Sequence, residues 1–283
     1  MRTTVFAAAA LLVAAVALAG EGRRPVVVVD PGHDARPNHG VEPIGPGASA
    51  RKVKDGGGAT GVVSGTPEAV VTLDVSFRLR ELLERAGVAV VMTRTRTSGV
   101  STGNIARARI ANRAGADLFL RVHADSHPDP RVRGSHTLYP ARRAGWTDDI
   151  YAASKRAAVL VQRALVRRLR SRNRGLDERS DITGFNWSNV PAILVELGFL
   201  SNPAEDRLLA TAAYRRRAAR GLCEGTLRFL RRTALLRRCS GPAAPRSLRR
   251  LGTAASARGS SRTADARKRV HARHGHGSAS ANA

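Results

Sequence analysis

Val26-Val27-Val28-Val29-Asp30-Pro31-Gly32-His33 is a run of four β-branched residues stopped by turn chemistry. Such a run marks a fully buried strand, and a strand buried on both sides asks for parallel neighbours under covering helices. Working outward, residues 88–92, 118–122 and 192–195 are further apolar runs of strand length, and 135–139 is an additional strand candidate. Helical periodicity alternates with them. Thr66 as N-cap, Pro67 at the first helical position and Glu68 in the first turn open one helix, with Val71, Val75, Leu79 and Leu82 on one face and Gly87 as its stop. Residues 104–114, 148–170 and 204–231 read as three more. Strands alternating with helices of this length imply βαβ units. The fold class is therefore α/β: a single open, mainly parallel twisted sheet, helices on both faces, and the active site at the carboxyl ends of the strands. Residues 34–65 read as an irregular connection or a weak hairpin. Residues 130–190 read as one long helix and a polar connection.

Both ends differ from this body. Arg2 and an unbroken apolar run over 5–18, followed by Ala17-Leu18-Ala19, form an export signal over residues 1–19. Residues 241–283 hold nine Arg/Lys against Asp265 alone and few large aliphatics, so a disordered basic tail is expected. The folded body is then residues 25–238, and it works outside the cytoplasm. The chain carries 48 Lys+Arg against 22 Asp+Glu, a net charge of +26. Lysines stand only at 52, 54, 155 and 268, so the charge is almost all arginine and spread along the chain. Two cysteines exclude a disulfide-rich scaffold and a Cys-based zinc module. Cys223 and Cys239 on one continuous helix would stand ~24 Å apart, so pairing requires the chain to turn back between them.

Three strands lead into chemistry. Residues 26–29 lead to His33, 118–122 to His123 and 192–195 to Glu196. Carboxyl ends of parallel strands share one edge, which makes these three residues neighbours despite their separation. Glu68 joins them if its helix begins at that edge. Two imidazoles and a carboxylate are the ligand set of a catalytic zinc with an open position, and a second carboxylate is what hydrolysis needs to move a proton. His127 follows His123 at a helical ligand spacing, but Pro128 makes the segment a loop; His39 and His136 have only loop contexts.

These segments together resemble one family. Val28-Val29-Asp30-Pro31-Gly32-His33, then Glu68, then Arg121-Val122-His123-Ala124-Asp125-Ser126, then Pro191-Ala192-Ile193-Leu194-Val195-Glu196-Leu197-Gly198-Phe199-Leu200-Ser201-Asn202 are similar, in that order, to the zinc-dependent N-acetylmuramoyl-L-alanine amidases of the Amidase_3 type. Thr93-Arg94, 109–112 and 116–120 fit the same pattern. The resemblance spans about residues 25–232. It implies one zinc ion held by His33, Glu68 and His123, Glu196 as catalytic acid/base, and the peptidoglycan amide between N-acetylmuramic acid and L-alanine as substrate. Asp125 stands where the family usually has Asn, and 34–65 is an enlarged loop that forms one wall of the groove. Arg109 and Asn112, one helical turn apart, are candidates to orient the glutamate or the substrate, with a structural helix-to-loop bond as the competing role. The tail is a candidate tether to anionic wall polymers or the membrane surface. A non-catalytic wall-binding regulator and a different zinc peptidase on this fold are the competing readings. Specific nucleic-acid binding is disfavoured by export and by 4% aromatic content.

Overall fold

The computed structural model describes residues 23–240. The export signal and the basic tail lie outside the described residues. Eight strands form two sheets: β1 Val26–Pro31, β2 Asn38–Pro43, β3 Arg51–Asp55, β4 Ala89–Met92, β5 Leu118–Asp125, β6 Ser135–Pro140, β7 Asn173–Arg179 and β8 Ala192–Phe199. The main sheet has the order β4-β1-β5-β8-β6-β7, and β2-β3 is a separate antiparallel hairpin. From β4 to β8 all pairings are parallel, β6 runs antiparallel to β8, and β7 is parallel to β6. The open, mainly parallel sheet expected from the sequence is present.

The helices are α1 Glu68–Arg85, α2 Asn104–Arg113, α3 Tyr151–Leu169, α4 Thr183–Asn186, α5 Pro203–Leu209 and α6 Ala212–Phe229. Two apolar cores flank the sheet. Val71, Val75 and Leu79 of α1 pack with Val161 and Leu165 of α3 and Leu222 of α6 on one face. Ala108 and Ala111 of α2 pack with Phe185 of α4 on the other. The chain leaves β1, returns through α1 to β4 on one side, and then crosses through α2 to β5 on the opposite side. The strand order therefore reverses between β1 and β5, and a crevice opens at their carboxyl ends.

Several expectations need correction. Of the two readings of residues 34–65 the hairpin holds, as β2 paired with β3, and the irregular connection does not. Strand β7, Asn-Arg-Gly-Leu-Asp-Glu-Arg, falls in the segment read as a polar connection: it lies at the sheet edge with alternate residues exposed, so it carries no apolar run to betray it. The last helix is two, because Thr211 starts α6 afresh by accepting the Tyr214 amide on its side chain. Beyond Phe229 the chain does turn back. A 3-10 helix, Thr233–Ser240, brings Cys239 to a disulfide with Cys223, Cα to Cα 5.8 Å. No helix among the described residues is long and apolar enough to cross a membrane.

Candidate metal centre

The turn after β1 is built from the inside out. Asp30 is fully buried and accepts from Arg107 Nη1 (2.5 Å), Arg121 Nε (2.9 Å) and Thr93 Oγ1 (2.5 Å). Burial alone would raise its carboxyl, but the two guanidiniums and the hydroxyl hold it well below the usual range. The carbonyls of the same turn face other donors. Arg107 reaches those of Pro31 (2.8 Å) and His33 (3.1 Å), while Arg94 reaches that of Gly32 (2.9 Å). Burial brings Arg94 down to about 10. His33 then projects from a left-handed backbone conformation, φ 56°.

Glu68 arrives from the other side. Helix α1 runs antiparallel to β1, so its first turn lies at the carboxyl edge. Pro67 occupies the N-cap rather than Thr66, and Glu68 is the first helical residue. Its Oε1 lies 3.0 Å from His123 Nδ1 and accepts the Ala124 amide, while its Oε2 lies 3.3 Å from His33 Nε2 and accepts the Ala59 amide. His33, Glu68 and His123 each offer one ligand atom, and the three atoms lie within 4.8 Å of one another. Close approach is enforced by glycine: a Cβ on Gly32 would strike the His123 ring, and one on Gly58 (φ 70°) would strike His33.

This donor set suits a zinc ion: two imidazoles and a carboxylate, with His123 Nε2 buried and without a hydrogen-bond partner. Burial would raise Glu68, but His33 and His123 hold it at about 2, so it is a carboxylate throughout the neutral range. Burial lowers His123 further than the contact with Glu68 restores it. For His33, burial lowers and Glu68 and Asp55 raise, and the acids prevail.

Glu196 stands one strand away. It pairs in register with His123 across β5 and β8, is 4% exposed, and its Oε2 has no hydrogen-bond partner. Burial first, then the carboxylates of Asp125 and Glu68, push it well above the ordinary carboxylate range.

Asp55 was not foreseen. At the end of β3 its Oδ1 accepts from His33 Nδ1 at 2.6 Å and from the Gly57 amide at 2.9 Å. The hairpin that carries it is fastened to the body: Glu42 caps the amides of Asn104 and Ile105 at the start of α2, Lys52 bonds Asp181, and Trp187 Nε1 donates to the Pro43 carbonyl. Lys52, Lys54 and Asp55 of β3 line a cleft of about 70 Å³ with Arg107, Arg121 and His123. The wall expected from the enlarged loop is this strand.

Arg109 and Asn112 are elsewhere. Arg109 is exposed and lies over the Trp187 ring, and Asn112 bonds the Trp187 carbonyl and the Asn189 amide, the helix-to-loop role. On α2 the cleft is lined by Asn104 and by buried Arg107. The spacing of four between Arg107 and buried Ala111 was the available signal. His39 and His127 are exposed and outside the cluster. Neither His39 nor His136 is in a loop: His39 lies on β2 and His136 on β6.

An open, mainly parallel sheet with histidines and carboxylates gathered on its carboxyl edge places the chain among the α/β enzymes that act at such an edge. Within that class, the chain belongs to the N-acetylmuramoyl-L-alanine amidase family, Amidase_3, whose family model matches residues 27–228. It is 30% identical over 217 residues to an N-acetylmuramoyl-L-alanine amidase of Mycobacterium tuberculosis, covering 72% of this chain and 86% of that one. It is 28% identical over 216 residues to the germination-specific N-acetylmuramoyl-L-alanine amidase of Bacillus subtilis, covering 72% and 79%. The crystal structure of an N-acetylmuramyl-L-alanine amidase from Mycobacterium smegmatis superimposes with a TM-score of 0.67 at 28% identity, covering 74% of this chain and 97% of that one. The expected enzyme class, a peptidoglycan amidase, is borne out.

Proposed function

We propose that this enzyme is an exported zinc-dependent hydrolase that cleaves the amide between N-acetylmuramic acid and L-alanine in peptidoglycan, with the metal held by His33, Glu68 and His123. The observation that carries the reading is the convergence of those three donors within 4.8 Å, one strand from a buried glutamate with a raised pKa. When bound, zinc supplies a Lewis acid for the scissile carbonyl and acidifies a water at neutral pH. Glu196 accepts the proton of the attacking water and hands it to the departing alanine nitrogen; a raised pKa suits both halves of that task. Asp55 holds the proton of His33 on Nδ1, which leaves the Nε2 lone pair for the metal. Arg107, Arg121 and Asp30 keep the turn that carries His33 from moving.

The domain reading is a signal over 1–19, a catalytic domain over 25–238 and a basic tail over 241–283. The Cys223–Cys239 bond favours an oxidising compartment and hence export. The tail, with a sequence charge of +8, serves as a tether to anionic wall polymers or the membrane surface; deleting it is expected to weaken wall retention in a salt-dependent way. Mass spectrometry of digested peptidoglycan tests the activity. Release of stem peptides with a free L-alanine amine is expected, and cleavage only within the stem peptide would overturn the assignment.

A further inference from the structure

One histidine at the site edge is unused by this reading. Glu196 on β8 faces His123 of β5 on one side and His136 of β6 on the other, all three at matched register positions. One row below, Leu194 likewise pairs with Arg121 and with Leu138. By the two-residue period of a strand, His123, Glu196 and His136 therefore share one sheet face, and directly opposed side chains start about 5 Å apart.

Three buried polar atoms in this row lack hydrogen-bond partners: His123 Nε2, which belongs to the metal donor set, and the pair Glu196 Oε2 and His136 Nδ1. Each of the pair is costly alone; on neighbouring strands and the same face, each is the remedy for the other. The rest of the imidazole is already fixed. It stacks on the Phe199 ring at 5.8 Å and 20°, and its Nε2 lies 3.5 Å from Asp125 Oδ2. Arg174, Asp177 and Arg179 of β7 complete the charged groups around it. Burial, with Arg174 and Arg179, brings the ring down to about 4, so it is a neutral imidazole at working pH.

We propose that His136 is the positioning residue of Glu196: its Nδ1 holds the carboxyl oxygen that the fold leaves unpaired, aiming the other oxygen at the water and the leaving amine. A neutral imidazole donates from Nδ1 in one tautomer and accepts there in the other, so the contact survives both protonation states of the glutamate. The inference rests on the reading of Glu196 as acid–base.

The test uses the zinc-loaded full chain and soluble muropeptides, with metal content, melting temperature, kcat and KM measured for each variant. His136→Ala is expected to keep its zinc and its KM while kcat falls about ten- to a hundredfold. His136→Asn places an amide where Nδ1 stood and is expected to recover most of that loss; His136→Gln mimics Nε2 and is not. A His136→Ala kcat within about twofold of wild type, equal rescue by Asn and Gln, or zinc loss in step with kcat would overturn the proposal. Should the alanine variant not fold, the Asn–Gln comparison decides by the same criterion. Glu196→Gln is the control. Full activity there sinks the acid–base reading itself, whereas an inactive Glu196→Gln beside a normal His136→Ala sinks only the role of His136.

Discussion

Asp55 and His33 stand 22 residues apart in the chain and 2.6 Å apart in space, joined through His33 Nδ1. The hydrogen bond crosses from a hairpin outside the main sheet to a turn at its centre, so hairpin and candidate metal site are one mechanical unit. Carboxylates behind metal-ligating histidines set tautomer and ring orientation, and losing one typically costs 10–100-fold in metal affinity. Asp55→Ala is expected to weaken zinc binding by about that factor, read by competition with a chelator, with Asp55→Asn intermediate. Unchanged affinity in Asp55→Ala would remove it from the site.

Glu196→Gln preserves shape and removes the proton acceptor. Folding and zinc content should match wild type, while release of free L-alanine amine falls roughly 10²–10⁴-fold. Near wild-type turnover would show that another group moves the proton.

Asp30 gives the acid limb of stability. Its folded carboxyl lies well below its unfolded value, so its contribution is complete above the ordinary carboxylate pKa near 4 and drains away as pH falls through the folded value. Urea unfolding should therefore show stability falling steadily below about pH 4 in wild type. Asp30→Asn strands Arg107 and Arg121, both buried, and is expected to cost about 3–5 kcal/mol at pH 7. A flat acid limb in wild type, or a loss below about 1 kcal/mol in the variant, would contradict this account.

Cys239→Ser opens a loop of 16 residues' separation between α6 and the 3-10 helix. Loop-closure entropy makes the link worth about 3 kcal/mol, so thermal melting should drop by several degrees, and a reductant should do the same to wild type. Equal melting of oxidised and reduced protein would show that the segment holds without the bond.

The parts of this protein that were legible beforehand are those where burial forces a pattern. Strands β1, β5 and β8 are apolar on both sides; His33 follows β1, while β5 and β8 run two and three residues past His123 and Glu196, and parallel-sheet geometry brings these residues together. Glu68 was marked by the helix start at Thr66-Pro67. Asp55 was invisible because it ends a short, half-exposed strand of Arg, Lys and Val whose pairing partner is another polar strand. β7 escaped for the same reason, and with it the order of the sheet edge. Arg107 lost to Arg109 through helix phase, a matter of two residues. The Cys223–Cys239 pair was not legible because nothing in the residues after Phe229 announces the 3-10 helix that turns the chain back.

That disulfide has a consequence for force. The basic segment 241–283 follows Cys239 almost directly in the sequence. If that segment grips the wall, a growing or flowing cell pulls on the enzyme there. The load passes through a covalent bond into Cys223, in the buried middle of α6, and from there into the core shared with α1 and α3. The bond takes residues 224–238 out of that load path, so the 3-10 helix is not the first part to be peeled away.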